Sequence, residues 1–165
     1  MEEIKDNDVQ VGGDNSTQKA GDNSTQKAGW ESTQTARASS TQTAGDFSTQ
    51  KAEWWSTQTA GYESTQTAGD GSAQIAGANS TQTAGDWSTQ IAGANSTQTA
   101  GDNSTVIAYV WREYINTITA GKNTTIVAIN TETGESSTLT TKKEGKTYKV
   151  SGDCIIKEVK EGKGQ

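Results

Sequence analysis

The chain has 165 residues, a net charge of −6 and only 19 Ile, Val, Leu and Phe, below the roughly 20% at which a chain usually builds an oil-like core. With no His, no Pro and a single Cys, Cys154, it cannot assemble a Ser-His-Asp or Cys-His nucleophile, a His-ligated metal or an internal disulfide. We therefore expect no enzyme, no catalytic residue, no metal and no cofactor, and the acidic balance argues against nucleic acid or anionic lipid as a partner.

The N-terminus, Met1-Glu2-Glu3-Ile4-Lys5-Asp6, lacks the basic start and apolar stretch of a signal peptide. No run of about 18 apolar residues exists, so no membrane-spanning helix is expected. The compartment is unknown on this reading, cytoplasmic or reached by an unrecognised export route. Residues 1–15 read as an N-terminal cap or leader, with Val9-Gln10-Val11 beginning the first coil.

Residues 16–108 are a tandem repeat. Ser-Thr-Gln-x-Ala-Gly-x-x recurs every eight residues, with twelve serines in phase from Ser16 to Ser104. Alanine holds the fifth place twelve times, from Ala20 to Ala108; glutamine holds the third place eleven times and yields only at Val106. Eight residues do not match whole 3.6-residue turns, and Ser, Thr and Gly are poor helix formers, whereas alternation within each unit suits a strand. Lys stands at the fourth place at 19, 27 and 51, so that place and the second-place Thr face outward. Ser, Gln and Ala then face inward, forming a small polar interior laddered by amides and hydroxyls. Gly-x-x, rich in Asp and Asn, is the corner.

In the second half the fourth place alternates Thr67, Ile75, Thr83, Ile91, Thr99, Ile107, a 16-residue period. This predicts an all-β, flattened two-sided β-solenoid (β-helix) of about six 16-residue coils stacked at about 4.8 Å. A triangular 24-residue coil competes, from the corner series Asp22, Trp30, Ala38 and Asp46, Trp54, Tyr62. With 16 residues per coil, one face carries Thr33/Thr35, Thr65/Thr67, Thr81/Thr83 and Thr97/Thr99, besides Thr17/Lys19 and Thr49/Lys51. The second face carries Thr41/Thr43 and Thr57/Thr59, then the half-apolar ranks ending in Ile75, Ile91 and Ile107, which suggest a cover. Asp70, Asp86 and Asp102 stack along one edge and read as solvated corners rather than a Ca²⁺ site.

Residues 109–165 hold most of the Ile and Val and read as ordinary strands forming a C-terminal β cap, expected to fold over the last coil and the Ile strip. Asn116-Thr-Ile-Thr-Ala-Gly121 still echoes the octad after a four-residue slip. Cys154 reads as a buried thiol in an apolar strand, and the Lys/Glu tail as a solvated end.

Stretches such as Ala60-Gly-Tyr-Glu-Ser-Thr-Gln-Thr-Ala-Gly69 and Ala92-Gly-Ala-Asn-Ser-Thr-Gln-Thr-Ala-Gly101 resemble the 16-residue repeats of bacterial ice nucleation proteins, and the resemblance covers about residues 13–108. It implies outward Thr-x-Thr rows that order water, carried here by Thr33, Thr35, Thr65, Thr67, Thr81, Thr83, Thr97 and Thr99, and by Thr41, Thr43, Thr57 and Thr59 on the second face. The chain departs from that pattern: the family's arrays are several times longer, its corner-Tyr ladder is reduced here to Tyr62, and its Arg-rich coils are absent. A short array should bind ice, as an antifreeze does, or promote ice nucleation weakly, with ice or ordered water as its partner.

The physical basis for Thr is independent of that resemblance: about 6.8 Å along a strand and about 4.8 Å between strands, it makes a stiff lattice of hydroxyls and methyls. Thr is also simply a good outward strand residue. The alternative function is a non-catalytic, self-assembling fibre, spacer or surface element that pairs with copies of itself as a homo-oligomer. A glycan or peptide docking on the flat face through the aromatics is a third reading; the pair Trp54-Trp55 and Trp87 read as a dimer or glycan contact or, equally, as corner packing.

Overall fold

The structure, a computed structural model, describes residues 5–160. Of the N-terminal leader reading, residues 1–4 lie outside the described residues, as do residues 161–165 of the tail. The fold is an all-β solenoid. Twelve strands carry the lead-in and the first eleven octads: β1 (Val9–Val11), β2 (Thr17–Lys19), β3 (Thr25–Lys27), β4 (Thr33–Thr35), β5 (Thr41–Thr43), β6 (Thr49–Lys51), β7 (Thr57–Thr59), β8 (Thr65–Thr67), β9 (Ala73–Ala76), β10 (Thr81–Thr83), β11 (Thr89–Ala92) and β12 (Thr97–Ala100). Six follow: β13 (Thr105–Val110), β14 (Asn116–Ala120), β15 (Thr125–Asn130), β16 (Ser136–Thr140), β17 (Lys146–Val150) and β18 (Ile156–Glu158).

Odd strands β1 to β15 stack in one sheet, even strands β2 to β14 in the other, all parallel. We call these the odd and even sheets. Neighbours pair in a register of 16, as in Thr65↔Thr81 and Gln66↔Gln82, which settles the coil at two octads rather than three. The coils number nearly eight rather than six, because β1 already pairs with β3 and because the parallel winding runs on to Asn130. The last coils hold 20 residues: Thr97 pairs with Thr117 and Thr105 with Thr125. The four-residue slip in the octad is an enlarged corner at residues 111–115, between β13 and β14.

Each octad forms a strand and a corner for local reasons. The eighth-place residue sits in the left-handed region in every coil, including Asn7, Asn15, Asn23, Asn79, Asn95, Asn103 and Asn123. Asn tolerates that conformation better than other residues with a Cβ, which explains its frequency there. Seventh-place Asp does more than face solvent: Asp70 Oδ1 accepts the Asp86 N–H at 3.0 Å, Asp86 Oδ1 the Asp102 N–H at 2.7 Å, and Asp102 Oδ1 the Lys122 N–H at 2.6 Å. These aspartates are rungs that tie one corner to the next, which corrects their reading as merely solvated. The sixth-place Gly of the following coil makes room for them; a Cβ on Gly85 would fall on Asp70 Oδ1.

Inside, each glutamine amide bonds in two directions. Gln66 Nε2 donates to Gln50 Oε1 at 2.8 Å, one coil below, and to the Ile75 carbonyl at 3.0 Å, across in the other sheet. The same pattern makes two ladders, Gln10 to Gln90 and Gln18 to Gln98, and from Gln26 to Gln98 every side chain in them is fully buried. Ser joins consecutive coils differently: the Ser64 N–H donates to Ser80 Oγ at 3.2 Å. Apart from Gln90 Oε1 and Gln98 Oε1 at the ladder ends, the buried side-chain polar atoms of the described residues find partners along the axis or across to the other sheet, which is what makes a core of Gln, Ser and Ala tolerable.

From Val106 onward the interior changes to an apolar cluster containing Val106, Val110, Ile118, Ile126, Tyr148 and Val150. The cap extends the sheets rather than folding over them. Strand β16 pairs antiparallel with β15, and β17 pairs antiparallel with β14 and then with β18. Ile75 consequently remains 43% exposed, and Ile91 and Ile107 are half-buried, so the expected cover over that strip is absent from the described residues. Cys154 is buried as expected, but in a left-handed turn before β18 instead of within a strand. Among the described residues no helix is long and apolar enough to cross a membrane.

Candidate functional site

Because side chains alternate along a strand, burial of Gln at the third place and Ser and Ala at the first and fifth sends the second and fourth places outward. All eight predicted residues of the first Thr set lie on the even sheet: Thr33 and Thr35 on β4, Thr65 and Thr67 on β8, Thr81 and Thr83 on β10, and Thr97 and Thr99 on β12. Thr35 and Thr99 are half-buried, and the other six are exposed. The pairing Thr65↔Thr81↔Thr97 and Thr67↔Thr83↔Thr99 makes two straight columns.

The structure divides this set. Thr33 and Thr35 pair with Thr17 and Lys19 on one side and with Thr49 and Lys51 on the other, so their rank stands alone between two lysine ranks. Thr35 lies in a shallow concavity bounded by Lys19, Lys51, Arg37 and Glu53. The block from Thr65 to Thr99 is uninterrupted, and it is longer than the sequence reading allowed. Thr97 pairs with Thr117 and Thr99 with Thr119, both on β14, so four ranks run in register across eight threonines. The octad echo at residues 116–121 was the signal for Thr117 and Thr119; the slip in spacing hid it, because the extra residues loop out at the corner and leave the pairing intact. The block ends where β17 places Lys149 opposite Thr117 and Thr147 opposite Thr119, the last two hydroxyls 3.1 Å apart.

At about 4.8 Å between strands the four ranks extend about 14 Å, and the two columns are about 6.8 Å apart. The floor beneath is stiff. Gln66, Gln82 and Gln98 are fully buried under the first three ranks and hydrogen-bonded coil to coil, and Ile118 is fully buried beneath the fourth. No predicted Thr in the uninterrupted block shares its rank with a charged residue.

On the odd sheet, Thr41 and Thr43 on β5 pair with Thr57 and Thr59 on β7, a patch of two ranks. Lys27 borders it below and Ala73 and Ile75 border it above. Beyond, the fourth-place column is apolar, Ile75, Ile91, Ile107 and Val127 in register.

The corners separate by edge. One edge stacks Trp30, Phe47 and Tyr62 edge to face, with centroids 6.1 and 5.8 Å apart, and continues upward through Asn79 and Asn95. A hydrogen bond to Glu63 raises the Tyr62 pKa. On the same edge the enlarged corner stacks Trp111 on Tyr114, with Arg112 over the Trp111 ring. The opposite edge carries Trp54, Trp55 and Trp87, exposed at 55%, 65% and 69%. No cluster of His, Cys, Asp or Glu among the described residues is arranged to hold a metal ion. No protein-family model matches the chain, and comparison with the curated proteins and with the solved structures finds no match to it.

Proposed function

We propose that the protein binds ice, or water ordered as at an ice surface, through the even-sheet threonines Thr65, Thr67, Thr81, Thr83, Thr97 and Thr99, extended by Thr117 and Thr119. The observation that carries this reading is the unbroken register of four Thr-x-Thr ranks on one parallel sheet. Hydroxyls anchor water and methyls restrict it, and χ1 of a β-branched side chain in a strand loses little entropy on docking. The resemblance of the octads to bacterial ice nucleation repeats supports the same reading. A patch of about 14 by 7 Å orders few water molecules, so the activity is attachment to existing ice, with weak nucleation.

The isolated pair Thr33/Thr35 and the patch Thr41, Thr43, Thr57 and Thr59 contribute less, because lysine ranks and the aliphatic column interrupt their lattices. The test is partition of the purified protein into a slowly grown ice hemisphere, with droplet freezing on the same sample. Replacing the six even-sheet threonines 65, 67, 81, 83, 97 and 99 by Lys puts charge at outward places, the fourth of which already carries Lys19 and Lys51 on this sheet, and circular dichroism checks that the fold survives. The expected result is enrichment in ice by the parent chain and exclusion of the six-Lys variant. Equal exclusion of both, with fibres forming as concentration rises, would overturn the reading in favour of a self-assembling element.

A further inference from the structure

The Trp-bearing edge has a feature that neither folding nor the threonine face requires. Trp55 and Trp87 occupy the eighth corner place, in the left-handed region with φ of 59° each. That conformation disfavours bulky side chains, and elsewhere in the same column Asn7, Asn23, Asn103 and Asn123 hold it with little strain. Strain retained at an exposed position points to use of the side chain. Between the two tryptophans the column holds Gly71, as the bonds from the Trp55 N–H to the Asp70 carbonyl and from the Gly71 N–H to the Asp86 carbonyl show. Gly71 adopts φ of +66°, and a Cβ added there would meet the Trp55 ring at 2.9 Å. The Trp55 indole therefore lies against the Gly71 backbone, and the side chain is still 65% exposed. On the other edge the aromatics are spent on each other, edge to face.

We propose that Trp55 and Trp87 form a stacking platform for a neutral β-1,4-linked glycan, running along this edge parallel to the solenoid axis. Two coils separate the corner positions that carry the two indoles by about 9.6 Å, close to the disaccharide repeat of an extended β-1,4 chain, so a chain lying along this edge brings every second sugar ring to a Trp-bearing corner. Aromatic faces attract the polarised C–H face of a pyranose as they do other partly positive groups. The exposed carboxylates of Asp70 and Asp86 flank the column, where they accept sugar hydroxyls and, with the net charge of −6, repel anionic glycans.

Affinity electrophoresis of the whole chain through gels containing a soluble β-1,4-glucan, with cellohexaose and chitohexaose titrations read by Trp fluorescence, tests this. Retardation and a saturable shift are expected with the β-1,4 chains and none with maltohexaose. Trp55→Asn and Trp87→Asn restore the residue that the turn favours, so each should stay folded and weaken binding roughly tenfold. Gly71→Asn keeps the turn and pushes the Trp55 ring off its seat, with the same loss expected. The proposal is overturned by the absence of any shift, by equal shifts with maltohexaose, or by undiminished binding in the Asn variants. A Trp55-dependent dimer in sedimentation with no glycan shift would overturn it too, assigning the column to a second copy of the chain.

Discussion

The repeat coils and the last coils solve the same problem with opposite interiors. In the repeats, glutamine, serine and alanine fill the space between the sheets, and cohesion runs along the axis from each amide to the next. In the last coils Val106, Ile118, Ile126, Tyr148 and Val150 fill it, and cohesion is apolar contact that needs no partner in a neighbouring coil. A ladder of amides has a direction: each Nε2 donates toward the N-terminal side, so the last glutamine of each column is left with an acceptor. Those acceptors, Gln90 Oε1 and Gln98 Oε1, are the two buried side-chain atoms without a partner among the described residues. Each costs about 1–3 kcal/mol, and the apolar residues above them let the polar ladder stop inside the protein. The serine column needs no such break, because Asn116 and Thr124 take the Ser role: Ser96 N–H donates to Asn116 Oδ1 at 2.8 Å and Ser104 N–H to Thr124 Oγ1 at 3.3 Å. A polar interior is thus sustained by repetition, and its termination is where the chain must change its composition.

The contrast can be broken first in the middle of a ladder. Gln66→Leu removes three hydrogen bonds, leaving Gln50 Oε1 without a donor and one Nε2–H of Gln82 without an acceptor, and should cost about 3–5 kcal/mol in chemical denaturation. The apolar end obeys cavity rules instead: Ile118→Ala, at a fully buried position, should cost about 3 kcal/mol and leave the coils below it structured by hydrogen exchange. The same Leu substitution at the ladder's end sharpens the comparison. Gln98→Leu removes two bonds but also the Oε1 that already lacks a partner, so the number of stranded amide acceptors is unchanged and the cost should fall to about 1–2 kcal/mol. Equal losses at 66 and 98 would show that amide continuity does not set the stability of the repeats.

The smallest effect is a pH dependence confined to the apolar end. Burial raises the Tyr148 pKa above 10.0, so the folded chain favours the neutral phenol. That contribution is fully present below pH 10 and is lost as pH rises through the raised value, the direction expected when the folded state binds the proton more tightly. Denaturation midpoints should drop as pH rises above 10, and Tyr148→Phe should flatten the drop.

Much of this architecture is legible in the sequence. The octad, with Lys tolerated at one place and Gln held at another, reveals which side chains face in, and the alternation of Thr and Ile at the fourth place reveals the 16-residue coil. The candidate face was legible for the same reason, since strand alternation and a whole-number period leave Thr65, Thr67, Thr81, Thr83, Thr97 and Thr99 no other arrangement than two columns. Thr117 and Thr119 were harder, because four added residues break the spacing while the backbone pairing absorbs them in a corner. Where the cap goes was also misread: an apolar strip invites a cover, yet the ends of both sheets present unpaired N–H and C=O groups, and satisfying those directs β16 and β17 to the edges rather than the face.

The sequence by itself determined the coil length, the sidedness of every repeat strand and the polar character of the interior, because these follow from a period and from which residues tolerate burial. Tertiary structure alone decided the aspartate rungs between corners, the extension of the threonine face to Thr117 and Thr119, the seat of Trp55 on Gly71 and the path of the last strands. The rungs, the extended face, the Trp55 seat and the pairing of β17 with β14 are contacts between residues 16 or more positions apart, and local preference does not specify which atoms will meet across that distance.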